Sequence, residues 1–254
     1  MDTTLRALVF DVDGTLADTE RDGHRVAFNR AFVDAGVDWH WDERRYGELL
    51  AVTGGKERML QHWREVDRAA ADAPSAGERI AELQRLKTAH YVALVGAGTV
   101  RLRPGVERLL RQARGAGLQL AIATTTTADN VAALLRSTLG DDAPGWFACV
   151  GAGDVVPRKK PDPGIYHWVL DRLGLPARQC LAFEDSGNGL RAAHGAGLRT
   201  VITPCGYTAG DDFEAAWACL DGLGERGAPA IGHVGGAPWR GVVDVACLRD
   251  WARK

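Results

Sequence analysis

The stretch LVFDVDGTLADTE, residues 8–20, is the most informative part of the chain. It begins with apolar residues typical of a buried strand, which ends in two aspartates one residue apart, Asp11 and Asp13, followed by Gly14. Strands disfavour aspartate, and like charges held close together destabilise a fold unless something offsets them. Side chains at positions i and i+2 of a strand point to the same side, so both carboxylates are expected to face one pocket.

Five short apolar runs, each bounded by turn residues, recur along the chain. They are LRALVF (5–10), LQLAIAT (118–124), FACVGA (147–152), CLAFED (180–185) and LRTVITP (198–204). Continuous rather than alternating runs are typical of strands covered on both faces, as in a parallel sheet. Helical patterns, such as 104–117 and 161–174, separate several of them. The alternation predicts an α/β fold with a doubly wound parallel sheet.

One interval breaks this alternation. Between about residues 18 and 98 the sequence shows helical patterns, such as GERIAELQRLKTAHYVAL (77–94), and no convincing strand. A helical insert after the first strand is the simplest interpretation, and a second independent domain is the alternative. We therefore predict a core of residues 1–17 and 99–254 and a helical cap of residues 18–98. In the tail, the glycine-rich and proline-rich stretch 224–241 predicts a loop.

Composition excludes several classes of function. The chain carries 31 basic and 33 acidic residues, a formal net charge of −2, so no global field would attract nucleic acid or an anionic membrane. The five cysteines include no C-x-x-C pair, which favours reduced thiols over a zinc site. No apolar run approaches 18 residues, and the start MDTTLRALVF lacks the pattern of an export signal. We expect a cytoplasmic monomer with no nucleic-acid or membrane partner.

The carboxyl end of the first strand lies where open α/β sheets bind ligands. Asp11 and Asp13 there could hold a hard cation such as Mg²⁺, which prefers oxygen ligands and often binds together with a phosphate. One carboxylate could then act as a nucleophile while the other moves protons. The structural alternative is an Asx-turn pair that closes the strand at Gly14.

Three other candidate groups end at the same edge of the predicted sheet. The run Thr124–Thr127 follows the second strand and offers hydroxyls and backbone amides to a phosphate. Lys160 precedes Pro161, which biases the lysine away from the helical region and could aim it out of its loop as a fixed positive charge. Glu184 and Asp185 end another strand and could form a second half-site for a cation. Taken singly, each group also has an ordinary structural explanation, such as helix capping.

The predicted cap supplies a second set of polar residues. In LLAVTGGKERML (49–60), two glycines stand beside a helix start with Lys56 behind them, a pattern that can cradle a second phosphate or a hydroxylated carbon chain. A tight turn followed by a charged helix face is the alternative interpretation. The predicted substrate-binding residues are Glu20, His24, Arg25, Thr53, Gly54, Gly55, Lys56, Thr125 and Thr126.

Four motifs follow one another along the chain: DVDGT, a threonine after the second strand, a Lys-Pro pair and EDS, with a helical insert after the first. This ordered set resembles the haloacid dehalogenase superfamily. The resemblance covers nearly the whole chain and implies a Rossmann-like core, a helical cap and Mg²⁺-dependent phosphoryl transfer. It implies that Asp11 is a nucleophile that forms an aspartyl phosphate. Asp13 would protonate the leaving oxygen and then deprotonate the attacking water, and Thr124 and Lys160 would hold the transferring phosphate.

The resemblance also implies a metal site and a substrate class. Asp185 would join Asp11 and the Asp13 carbonyl on Mg²⁺, with Glu184 in support. The cap segments, with DWHWD (38–42) and GYTAGDDF (206–213), are similar to the CbbY-like branch of the β-phosphoglucomutase-related phosphatases, which is associated with removal of xylulose 1,5-bisphosphate.

We therefore predict a phosphatase that acts on a sugar phosphate or bisphosphate, with xylulose 1,5-bisphosphate favoured. A phosphosugar mutase of the β-phosphoglucomutase type, which returns the phosphate to the substrate rather than to water, is the alternative. A non-enzymatic phosphoacceptor or nucleotide-binding module is disfavoured by the large cap and by an incomplete dinucleotide-binding loop at residues 151–153.

Overall fold

The computed structural model describes residues 4–253. The strands in this part of the chain are β1 Ala7–Phe10, β2 Gln119–Ala123, β3 Phe147–Gly151, β4 Cys180–Glu184, β5 Arg199–Ile202, β6 Ala218–Leu220, β7 Ala230–Val234 and β8 Ala237–Gly241. They form one sheet in the order β3-β2-β1-β4-β5-β6-β7-β8. Neighbouring strands are parallel from β3 to β6 and antiparallel from β6 to β8. The five predicted strands and the α/β class are confirmed.

Helices cover the sheet and fill the interval after β1. The α-helices are α1 Arg25–Asp34, α2 Glu43–Leu49, α3 Gly55–Val66, α4 Arg68–Ala71, α5 Ala76–Gly96, α6 Val106–Gly115, α7 Ala128–Leu139, α8 Gly164–Leu173, α9 Gly187–Gly195 and α10 Val245–Arg253. A π-helical turn, Glu20–His24, precedes α1. No helix among residues 4–253 is long and apolar enough to cross a membrane.

Strand β1 is fully buried and lies between β2 and β4. Its last residue, Phe10, is in register with Ile122 on one side and with Phe183 on the other. Parallel strands in this register bring their carboxyl ends to one edge of the sheet. The polar residues that follow the three strands are therefore brought together.

The helices between β1 and α6 have a hydrophobic cluster of their own. It consists of Phe28, Phe32, Trp41, Tyr46, Leu49, Met59, Ile80 and Leu83. Helix α5 connects this cluster with the main core, because Ile80 belongs to the first while Leu94 and Val95 belong to the second. We call residues 18–98 the cap; these boundaries stay a prediction.

The C-terminal region differs from the expected loop. Within residues 224–241, β7 and β8 form an antiparallel hairpin joined by Gly235 and Gly236, whose φ angles are +56° and +80°. A two-residue turn with positive φ at both positions matches the twist of paired strands and favours glycine. Pro238 is tolerated because β8 is an edge strand. The loop prediction is therefore wrong, since the Gly-Gly hairpin signal outweighs the overall glycine and proline content.

Candidate active site

The first strand delivers Asp11 to the bottom of a cleft between core and cap. The Asp11 amide donates to the Phe183 carbonyl at 3.0 Å, so hydrogen bonding to β4 continues one residue past the strand. The chain then turns at Gly14, whose φ is +83°. A Cβ atom on Gly14 would lie 2.1 Å from Oδ2 of Asp185. Glycine is therefore required both for the turn and for the approach of the second acidic segment.

Lys160 is buried against the carboxylates at this edge. Its Nζ lies 2.7 Å from Oδ1 of Asp11 and 2.5 Å from Oε1 of Glu184, and the Tyr166 hydroxyl donates to the same glutamate oxygen. Burial acts to lower the pKa of Lys160, but Asp11 and Glu184 outweigh burial and raise it above its ordinary value. Lys160 is therefore a fixed positive charge at neutral pH, as the sequence predicts.

Asp11, Glu184 and Asp185 offer oxygen atoms that all lie within 4.8 Å of one another. Burial raises the pKa of Asp11 well above its ordinary value and that of Asp185 to about 8, and Glu184 adds to both shifts. Oε2 of Glu184 is buried without a hydrogen-bond partner among the described residues. A divalent cation would neutralise this repulsion, and carboxylate oxygens are the ligands that a hard cation prefers. The residues present therefore fit such an ion.

The turn after β4 is built around the same carboxylates. The Ser186 hydroxyl accepts from the Gly189 amide at 3.1 Å, so Ser186 is the N-cap residue of the following helix, α9. A Cβ atom on Gly189 would lie only 1.9 Å from Oε2 of Glu184. The start of α9 is therefore shaped to admit the Glu184 carboxylate.

Two side chains from the cap side contact the Asp13 carboxylate, and a third contacts one of them. The Thr19 hydroxyl donates to Oδ1 of Asp13 at 2.6 Å, and Nε2 of His24 lies 2.8 Å from the same oxygen. Nζ of Lys87 lies 2.7 Å from Nδ1 of His24. An ionised carboxylate can only accept, so Nε2 carries the proton that is donated to Asp13, while Nδ1 faces the Lys87 side chain.

This environment sets the charge of Asp13. Burial acts to raise the pKa of Asp13, but the His24 charge and hydrogen bond, together with the Thr19 hydroxyl, lower it to about 2. Burial lowers the pKa of Lys87 to about 8. Lys87 lies in the middle of α5, where nothing local in the sequence distinguishes it from the other charged residues of that helix.

The cleft has a volume of about 370 Å³ and is lined by both parts of the chain. Core residues that line it, besides the acidic cluster and Lys160, include Thr125, Asn188, Arg191, Cys205 and Tyr207. Cap residues that line it include Glu20, Leu50, Thr53 and Arg58. Of the predicted substrate-binding residues, Glu20, Thr53 and Thr125 therefore face this cavity.

Other predicted residues lie elsewhere. The Thr124 hydroxyl is buried and accepts from the Thr126 amide at 3.3 Å, while the Thr126 hydroxyl accepts from Asn130 at 2.9 Å. Arg25 forms an ion pair with Glu43 at 3.8 Å and does not line the cleft. His24 contacts Asp13 rather than the cavity.

The glycine pair at the start of α3 has a different use from the predicted phosphate cradle. A Cβ atom on Gly54 would lie 2.2 Å from Oε2 of Glu57, and one on Gly55 would lie 2.7 Å from Oε1 of Gln84. The space beside this helix start is therefore filled by side chains of the cap itself. Lys56 forms an ion pair with Asp154 of the core. Gly54, Gly55 and Lys56 do not line the cleft.

Arg58 is the buried cation on the cap side of the cleft, and the sequence does not single it out from its neighbours. Its Nη1 donates to the Tyr46 hydroxyl at 2.9 Å and its Nε donates to the Leu49 carbonyl at 3.2 Å. The Tyr46 hydroxyl in turn donates to the Glu20 carboxylate. Within residues 4–253 no carboxylate lies within 4 Å of the Arg58 guanidinium, although the residue as a whole is only 7% exposed. A buried guanidinium without an anionic partner is suited to an anionic ligand.

The fold and the site together define a class of protein: a hydrolase with a parallel-sheet core, a helical insert and a carboxylate-and-lysine centre of the kind that phosphoryl transfer requires. The family model described as haloacid dehalogenase-like hydrolase matches residues 5–197, and the chain belongs to this family. The protein is a phosphatase of this family.

Three relatives narrow the comparison. The chain is 51% identical over 247 residues to the plasmid CbbY protein of Cupriavidus necator, covering 97% of this chain and 96% of that protein. It is 46% identical in sequence to CbbY from Rhodobacter sphaeroides, whose crystal structure in complex with phosphate matches with a TM-score of 0.78. The match covers 86% of this chain and 94% of that one. A mutant of that protein in complex with xylulose-(1,5)-bisphosphate has 45% identity, a TM-score of 0.79 and the same coverage.

Proposed function

We propose that the protein hydrolyses a sugar phosphate or sugar bisphosphate, with xylulose 1,5-bisphosphate as the favoured substrate, through an aspartyl phosphate on Asp11. The observation that carries the proposal is the arrangement of two buried cations on one cleft: Lys160, 2.7 Å from Asp11 in the core, and Arg58 in the cap. Such a cleft suits a substrate with a reacting phosphate at one end and a second anionic group at the other. The bisphosphate complex of the Rhodobacter sphaeroides relative supports this choice.

In the first half of the proposed reaction, a carboxylate oxygen of Asp11 attacks the phosphorus atom. The bond between phosphorus and the sugar oxygen breaks, and Asp13 donates a proton to that oxygen. Lys160 offsets negative charge on the transferring group, and a fixed charge in a buried site is effective because it needs no reorganisation. Mg²⁺, held by Asp11, Asp185 and the Asp13 carbonyl with Glu184 in support, would supply further positive charge.

In the second half, Asp13 removes a proton from the water that attacks the phosphorus atom of the aspartyl phosphate. The low pKa of Asp13, about 2, provides the ionised form needed for this step. The negative charge of an incoming phosphate acts to raise that pKa, and so favours the protonated form needed in the first half. Thr124 and Thr125 are proposed to hold the phosphate at the end of β2.

The cap is proposed to recognise the rest of the sugar. Arg58 would bind the second phosphate, because its guanidinium is buried without a carboxylate partner. Glu20 and Thr53 line the same cavity and offer oxygen atoms to sugar hydroxyls. Selectivity would then depend on the distance between the two anionic groups of the substrate.

The test is phosphate release from a panel containing xylulose 1,5-bisphosphate, ribulose 1,5-bisphosphate and hexose phosphates, with and without Mg²⁺. Asp11→Asn is the matched variant, since it keeps the size of the side chain and removes the nucleophile. We expect release of phosphate by the wild type with Mg²⁺ and a loss of about three orders of magnitude or more in the variant. Retained activity in Asp11→Asn would contradict the aspartyl-phosphate mechanism.

An assay with β-glucose 1-phosphate and a bisphosphate primer distinguishes the phosphatase from the alternative, a phosphosugar mutase. Formation of glucose 6-phosphate without net phosphate release would identify a mutase. Release of inorganic phosphate from the sugar bisphosphates, without isomerisation, supports the phosphatase.

A further inference from the structure

The cap contacts the core beside the cleft at two points around the start of α3, one just before the helix and one in its first turn. At the first point, Nδ2 of Asn188 donates to the Thr53 hydroxyl at 3.1 Å and to the Ala51 carbonyl at 3.4 Å. At the second point, Nζ of Lys56 forms an ion pair with Oδ2 of Asp154. These residues are far apart in sequence, so both contacts exist only while the cap rests on the core.

Asp154 is shared between the cap and its own segment of the core. Besides its contact with Lys56, it accepts at Oδ1 from Nζ of Lys159 at 2.6 Å. The same ammonium donates to the Gly153 carbonyl at 2.6 Å, which closes the segment 153–159 on itself. The hydrogen bond from Lys159, followed by that from Lys56, lowers the pKa of Asp154, so the carboxylate is ionised at neutral pH.

The segment that carries Asp154 leads directly to the catalytic centre. Lys160 follows Lys159 in the chain and contacts Asp11 at 2.7 Å. The segment is therefore attached to the cap at Asp154 and to the proposed nucleophile at Lys160. Only five residues separate Asp154 from Lys160, and the hydrogen bond from Lys159 to Gly153 closes them into a loop. A displacement of Asp154 on cap opening would therefore be passed to Lys160.

We propose that Lys56 and Asp154 are positioning residues. Their ion pair holds the cap on the core, and in this closed arrangement it keeps Lys160 aligned with Asp11. This inference rests on the proposed function of the same cleft. It assigns Lys56 to the cap–core contact rather than to the substrate.

The strength of the pair suits a contact that must break in every catalytic cycle. The Lys56 side chain is 40% exposed and that of Asp154 is 61% exposed. Exposed ion pairs shift an equilibrium by only about two- to fivefold, and dissolved salt weakens them further. The pair can therefore favour closure without trapping substrate or product.

The first test compares four single variants of the whole chain and the double variant Lys56→Met/Asp154→Asn. Lys56→Met and Asp154→Asn each remove the pair, Lys56→Arg restores it, and Arg64→Gln is the control because it breaks an ion pair within the cap, with Asp72 at 3.0 Å. We expect Lys56→Met and Asp154→Asn each to lower kcat about two- to fivefold with monophosphates and bisphosphates alike. The double variant should be no worse than either single variant, and Lys56→Arg should behave as the wild type.

Salt provides a second kinetic readout. Raising the ionic strength should bring the wild type toward the two variants and leave the difference between wild type and Arg64→Gln unchanged. If Lys56→Met instead raises KM for bisphosphates alone while Asp154→Asn has no effect, Lys56 binds the substrate and the proposal is wrong. Multiplicative effects in the double variant would also contradict it, because they would show that the two residues act separately.

A measurement that needs no activity separates this inference from the proposed function. Small-angle X-ray scattering at low ionic strength should give a larger radius of gyration for Asp154→Asn and Lys56→Met than for the wild type and Arg64→Gln. This comparison holds even if the substrate panel shows no turnover. Equal radii in all four proteins would overturn the proposed role of the ion pair in holding the cap on the core.

Discussion

Nε2 of His24 lies 2.8 Å from Oδ1 of Asp13, so a side chain at the start of the cap sets the charge of a core carboxylate. The imidazole is stacked on Tyr91, with 4.1 Å between ring centroids, and its other nitrogen contacts Lys87. Three elements that are separate in sequence therefore fix one hydrogen bond. The insert acts on the reacting carboxylate as well as forming one wall of the cleft.

Replacing His24 by alanine should change the pH dependence of the enzyme. Burial acts to raise the pKa of Asp13, while the charge and hydrogen bond of His24 lower it to about 2. Without His24 the effect of burial is less opposed, so the pKa of Asp13 rises. Because hydrolysis of the aspartyl phosphate needs ionised Asp13, the acidic limb of the kcat profile moves to higher pH. His24→Gln, which keeps a donor but no charge, should give an intermediate shift. An unchanged acidic limb in His24→Ala would show that Asp13 does not determine it.

Replacing Arg58 by glutamine should reduce selectivity for substrates with two phosphates. Hydrogen bonds to charged groups contribute about 1.5–3 kcal/mol, so kcat/KM for a sugar bisphosphate should fall about ten- to a hundredfold. Activity on a monophosphate should change far less. Arg45→Gln is the control, because Arg45 lies in the cap, pairs with Glu65 and does not line the cleft. Equal losses on both substrate types would mean that Arg58 supports only the structure of the cap, which the melting temperature would also report.

Adding Mg²⁺ should stabilise the folded protein, and chelation should abolish phosphate release. The cluster of Asp11, Glu184 and Asp185 is buried and strained by its own repulsion, which a cation offsets. At a hundred times its dissociation constant, a ligand specific for the folded state contributes about 2.7 kcal/mol. The melting temperature should therefore rise with Mg²⁺ in the wild type and not in Asp185→Asn. A rise of equal size in both would place the ion elsewhere.

Gly189→Ala tests the fit between α9 and Glu184. In an open helical position this change stabilises a protein by about 0.5–1 kcal/mol. At Gly189 the added carbon would lie 1.9 Å from Oε2 of Glu184, and such overpacking costs about 1–3 kcal/mol. We expect a lower melting temperature and reduced activity. Gly115→Ala, in α6 with nothing within 4 Å, should be neutral or stabilising. A stabilised Gly189→Ala protein would show that Glu184 moves freely.

The order of the core elements and the central site could be predicted from the sequence. Asp11 and Asp13 stand two residues apart on a buried strand, and Lys160 and Asp185 follow elements that end at the same edge. Strand periodicity and the direction of parallel strands depend on neighbouring residues and on general sheet geometry. Short-range information therefore placed Asp11 and Lys160 at one edge of the sheet, although 149 residues separate them, and the resemblance to the haloacid dehalogenase superfamily implied that both act on one phosphate.

The hairpin of β7 and β8 could also be predicted from the sequence. The dipeptide Gly235-Gly236 between residues of strand character is a hairpin signal. The glycine and proline content of the whole stretch does not reveal this hairpin, because composition does not record which two positions need positive φ.

The cap residues that complete the site were decided by the tertiary structure. Lys87 contacts His24 across 63 positions, and Lys56 contacts Asp154 across 98. Arg58 is buried in the cap, where its guanidinium lies over the ring of Tyr46 and donates to the Tyr46 hydroxyl. Which polar side chain of a helix faces the cleft depends on how that helix packs on its neighbours, and helical periodicity alone does not specify the facing partner. The sequence by itself determined the chemistry at the sheet edge, while the packing of cap on core decided which residues surround it.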